Sequence, residues 1–88
     1  MTKIHEKTAE KLQLLFTQHF NITLSQFDWN KSLEELDVQF KVLGNLIFLE
    51  QLIEKEFERK ILLLENISTS IHTPEDILEL IAEYLTKE

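Results

Sequence analysis

The sequence predicts a single all-α domain over residues 1–88, a three- to four-helix bundle with a long loop between its first two helices. Three observations predict it. One Gly and one Pro in 88 residues leave few sites for tight hairpin turns. Leu, Ile, Glu, Lys and Gln, mostly good helix formers, dominate the composition. Apolar residues recur at spacings of three and four along three separate segments. With 43% of the chain apolar, one core is within reach, since fully burying a large apolar side chain contributes about 1.5–3 kcal/mol.

The first helix is expected from Lys3 to His19, capped by Thr2, with Ile4, Thr8, Leu12, Leu15, Phe16, His19 and Phe20 as its inward stripe. In the following NITLSQFDWNKS, Ile22, Leu24, Phe27 and Trp29 are interleaved with polar residues. A short strand would fit that pattern, but no other segment offers it a partner. A long ordered loop pinned into the core by its aromatics is therefore expected. Ser32 and Glu35 form a capping box for one turn of helix over residues 33–36.

The second long helix spans KVLGNLIFLEQLIEKEF, residues 41–57. Val42, Leu46, Leu49, Ile53 and Phe57 step by three or four and mark its core face. Glu58-Arg59-Lys60 is expected to close it, with basic side chains suited to the negative end of the helix dipole. Residues 61–64 then read as a connecting segment and residues 66–70 as a turn or short helix. The last helix is the best marked. Thr73 caps it, Pro74 takes the first helical position, Glu75 and Asp76 fill the first turn, Ile77, Leu80, Ile81 and Tyr84 form the stripe, and it ends near Leu85.

Sixteen acidic against nine basic residues give a net charge of -7. That field repels phosphate backbones and anionic lipid, so neither nucleic acid nor a membrane is an expected partner. It favours a protein carrying a basic patch. Without Cys there is no disulfide or thiol chemistry. The opening MTKIHEKTAEK lacks the apolar run of a signal peptide, which makes the cytoplasm the expected compartment.

The order of these segments carries a resemblance. LLFTQHFNITLSQFDWNKSLEEL, LIFLEQLIEKEFERKI and TPEDILELIAEYL are similar to the first helix and long loop, the Glu-rich second helix and the final helix of acyl carrier proteins. In the first of these, Phe20, Asn21, Ile22, Phe27 and Leu33 fall where that family's pattern has its marked positions. The resemblance spans nearly the whole chain and implies the carrier fold. In that family the second helix opens with Asp-Ser-Leu, and its serine holds a 4′-phosphopantetheine arm. Counting back from Phe57 by the family's usual spacing lands on Leu43, with Val42 and Gly44 beside it, whereas counting forward from the loop lands near Lys41. From Leu33 to Ile67 there is no Ser, Thr, Tyr or Cys, so no modest shift of register restores an attachment hydroxyl. Ser32 in NKSL matches Asp-Ser-Leu only loosely and lies far upstream of the expected place.

Other constellations argue against chemistry. His5, His19 and His72 have no metal-ligand spacing, and His19 reads as a partly buried packing residue. Glu50, Glu54, Glu56 and Glu58 read as a solvated helix face rather than catalytic carboxylates. No nucleophile sits beside a plausible base. No enzyme, metal or cofactor is expected.

One feature remains. At about 100° per residue, Ile47 falls about 120° and Phe48 about 140° from the centre of the core face, on opposite sides of Gly44 and Gln51. Either the loop of residues 21–32 or residues 61–70 fold over Phe48, or Leu43, Ile47 and Phe48, with Gln51 between and Glu54 and Glu58 at the rim, form a docking patch. The partner would be a protein with a basic or apolar patch, or a second copy forming a homodimer. The expected function is thus that of a non-catalytic acyl-carrier-protein-like domain acting by protein contact beside fatty-acid or polyketide-type biosynthesis. Two rivals stand against it. One is a working acyl or peptidyl carrier with phosphopantetheine on an atypical residue such as Ser32, and the other is an unrelated helical interaction or oligomerisation module.

Overall fold

A computed structural model describes residues 3–67 and 70–86. The described residues fold into five helices: α1 (Lys3–His19), α2 (Leu33–Leu36), α3 (Leu43–Phe57), α4 (Leu63–Asn66) and α5 (Pro74–Thr86). A 3-10 turn, Val38–Lys41, precedes α3. Among the described residues there is no strand, and no helix is long and apolar enough to cross a membrane. The three long helices are the expected ones, with α1 packed against both α3 and α5.

The core is built where the stripes meet. Leu12, Phe16, Leu49, Ile53, Ile77 and Ile81 are fully buried between α1, α3 and α5, and Thr8 is buried with them. Thr2, the expected cap of α1, and the side chains of Ile4 and His5 lie outside the described residues. Helix α1 closes at Asn21, which takes a left-handed φ of 58°, a conformation Asn tolerates better than most residues.

Residues 21–32 form the expected loop, and aromatic rings hold it. Phe16 is the hub, with ring centroids 5.4 Å from Phe27 and 5.6 Å from Phe40, while Phe20 lies 5.0 Å from Phe40 and Phe27 stands edge-on to Trp29 at 4.9 Å. Each such pair contributes about 0.5–1.5 kcal/mol beyond its buried area. Leu24 departs from the alternation and is exposed, because Gln26 and Phe27 both bond back to the Thr23 carbonyl and turn the chain at that point.

Backbone bonds tie the loop to the far end of the chain. Leu33 N–H donates to the His72 carbonyl at 2.9 Å, and Glu75 N–H to the Trp29 carbonyl at 3.1 Å. The capping box of α2 forms as expected, Ser32 Oγ accepting from Glu35 N–H while Glu35 Oε1 accepts from Ser32 N–H. At α5, Asp76 N–H donates to Thr73 Oγ1 at 3.1 Å, and Asp76 Oδ2 accepts from the N–H groups of His72 and Thr73.

Three expectations are corrected. Helix α3 begins at Leu43, because Asp37 Oδ1 accepts from Gln39 N–H and starts a separate 3-10 turn that uses up Lys41. Val42 therefore stands outside the helix as its extended N-cap and is exposed rather than part of the core face. The short fourth helix forms at Leu63–Asn66 rather than over residues 66–70, of which Ser68 and Thr69 lie outside the described residues. Its start is held from α3, Glu50 Oε2 accepting from Leu64 N–H at 3.0 Å.

Candidate docking surface

Two side-chain amides position the start of α3. Gln39 Nε2 donates to the Phe20 carbonyl at 2.8 Å and Asn45 Nδ2 to the Gln39 carbonyl at 2.8 Å, so the end of α1, the 3-10 turn and the first turn of α3 are tied in series. No side chain caps α3 itself.

From this fixed base a run of hydrocarbon faces solvent. Val38 is 70% exposed, Val42 56%, Leu43 63%, Ile47 37% and Phe48 42%. Gly44 and Gln51 are exposed between them, and a Cβ built on Gly44 would meet nothing within 4 Å. The helical geometry read from the sequence thus holds for Leu43, Ile47, Phe48 and Gln51. Phe48 is neither covered nor free. One side of its ring packs edge-on to Phe20 at 5.7 Å and to His19 at 6.1 Å, and the other side is open. His19 is itself exposed rather than partly buried, with the edge of the Phe48 ring against it at the end of α1.

The rim differs from the one drawn from sequence. Glu54 is half-buried and its Oε2 accepts from Ile61 N–H at 3.1 Å, which makes it a brace for the chain leaving α3. Glu50 braces the start of α4 in the same way, so these two carboxylates are not a solvated face. Glu58 is exposed and closes α3 in a left-handed conformation, φ 54°. Sequence reasoning missed Val38, whose exposure follows from the 3-10 turn that buries Phe40. Asp37 followed by Gln39 was the available signal for that turn.

Ser32 lies at the edge of a cleft of ≈ 340 Å³ walled by Leu33, Phe40, Leu46, Ile67 and Ile71. Its hydroxyl is engaged in the capping box, Oγ lying 3.2 Å from Glu35 Oε1 and 3.3 Å from Glu35 N. Among the described residues no group of three or more His, Cys, Asp or Glu side chains is placed to hold a metal ion.

No protein-family model, curated protein or solved structure matches the chain.

Proposed function

We propose that the chain is a non-catalytic domain resembling acyl carrier proteins that works by protein contact through the face of Leu43, Ile47, Phe48 and Gln51. The observation that carries this reading is Leu43, a largely exposed leucine at the first position of α3, where the resemblance would have a modified serine. A phosphopantetheine arm needs a hydroxyl, and the residues at this site do not fit one. Exposed hydrocarbon there has a use in contact and none in group transfer. The helix order and the long aromatic-pinned loop support the resemblance, and it suggests a setting beside fatty-acid or polyketide-type synthesis. Attachment at Ser32 is disfavoured because esterifying its hydroxyl would remove the proton it donates to Glu35 Oε1 and set a phosphate against that carboxylate.

The test is intact-mass analysis after incubation with a phosphopantetheinyl transferase and coenzyme A. An unchanged mass is expected. Addition of the arm at any serine would return the chain to the carriers.

A further inference from the structure

The stretch from Val38 to Gln51 carries two charges in an otherwise charge-rich chain, Lys41 and Glu50. Glu50 is occupied with Leu64 N–H, which leaves Lys41 as the exposed charge of the stretch. The acidic excess of the protein is therefore absent from this stretch, with the exposed Glu58 two turns further along α3, and nothing in the stretch is shaped to attract a strongly basic partner. A surface that is apolar and nearly uncharged is best matched by another of the same kind.

Two further observations narrow the occupant. The exposed parts of Val38, Val42, Leu43, Ile47 and Phe48 amount to roughly 400–500 Å², in the range of the largest apolar patches that monomers leave bare. Doubled, and with Gly44 and Gln51 within it and Lys41 at its margin, that area approaches the lower end of specific interfaces, about 1,200 Å² in total. Gly44 is the second observation. It is the sole glycine of the chain, its φ is not positive, and a Cβ would meet nothing inside the protomer. Neither backbone conformation nor internal packing calls for a residue that weakens a helix. A flat spot on the exposed face lets a facing helix approach closely.

From these features we infer that the α3 face pairs with the same face of a second copy, forming a two-fold symmetric, reversible homodimer. This rests on the docking reading above and names its partner. In such a dimer the same patch is used twice, so residues near the axis face their own counterparts. The charge-poor surface is what allows two chains of -7 to meet there.

The experiment is sedimentation equilibrium of the full chain over micromolar to sub-millimolar concentrations, with three variants. The wild type is expected to dimerise reversibly. Phe48→Asp is expected to weaken the dimer at least about tenfold while lowering the melting temperature by roughly 5–15 °C and leaving the chain folded. Gly44→Gln separates the two roles by sign: the protomer melts higher, having gained a helix former, while the dimer weakens. In the cysteine-free chain, Gln51→Cys is expected to form an intermolecular disulfide about tenfold faster than a Glu10→Cys control on the exposed side of α1. A wild type that stays monomeric throughout, a dimer indifferent to Phe48→Asp, or a control that cross-links as fast would overturn the pairing. A monomer whose Phe48→Asp variant stays folded leaves the docking face intact for a different partner. A monomer whose Phe48→Asp variant unfolds removes both readings, because Phe48 would then belong to the protomer's own packing.

Discussion

Phe20 and Phe48 meet edge to face with ring centroids 5.7 Å apart, one ring buried at the end of α1 and the other two-fifths exposed on α3. The contact joins the aromatic cluster that orders the loop to the apolar face that solvent reaches. Phe48 is thus anchored on one edge, which fixes its orientation and limits what it contributes to the fold.

A half-exposed ring with that contact predicts a modest role in stability. Phe48→Ala should cost about 1–2 kcal/mol, well below the 3–5 kcal/mol typical of a buried phenylalanine. Urea denaturation measures it, and a loss in the upper range would mean that Phe48 is buried in solution.

Phe40 is the opposite case. It is fully buried, and its ring sits against both Phe16 and Phe20. Phe40→Ala should cost about 3–5 kcal/mol and loosen the 3-10 turn that carries Val38. Urea denaturation, together with hydrogen exchange at residues 21–32, reads both effects.

Acid should weaken the cap of α5. Partial burial pushes the Asp76 carboxyl up, but the N–H groups of His72 and Thr73, the Thr73 hydroxyl and the nearby His72 charge outweigh it and hold the pKa below its ordinary value. A carboxyl with a folded pKa below its unfolded pKa stabilises the fold above the unfolded value, and that stabilisation is lost as pH falls through the folded one. Melting temperatures from pH 6 down to pH 2 should therefore fall more steeply for the wild type than for Asp76→Asn. At neutral pH that variant should lose about 0.3–1 kcal/mol, the worth of a negative charge in the first turn of a helix.

Glu58 closes α3 in a left-handed conformation that glycine adopts without strain. Glu58→Gly should raise stability by about 0.5–1 kcal/mol, less the entropy glycine adds to the unfolded chain. Chemical denaturation would contradict this if the variant were less stable than the wild type.

How much of this could be read from the chain depended on whether the cause was local. Ser32 with Glu35, and Thr73 with Pro74 and Asp76, carry their own capping partners, so α2 and the start of α5 were legible to the residue. The stripe of α3 placed Ile47 and Phe48 off the core face because periodicity needs no knowledge of neighbours, but whether other segments cover Phe48 does need that knowledge and stayed open. Val42 failed because the helical period was extended one residue past a start set by Asp37. Helix α4 has no side-chain cap of its own and depends on Glu50 reaching across from α3, and Glu54 finds its role only once Ile61 lies beside it. Those contacts join residues far apart in sequence, where composition and spacing say nothing.

The most direct test of the central claim, that the hydrocarbon at the start of α3 pairs with the same face of a second copy, is amide-resolved NMR over a dilution series. Shifts should concentrate on residues 42–51 and saturate as concentration rises. Spectra that stay unchanged at every concentration, or shifts that gather on another face, would contradict it.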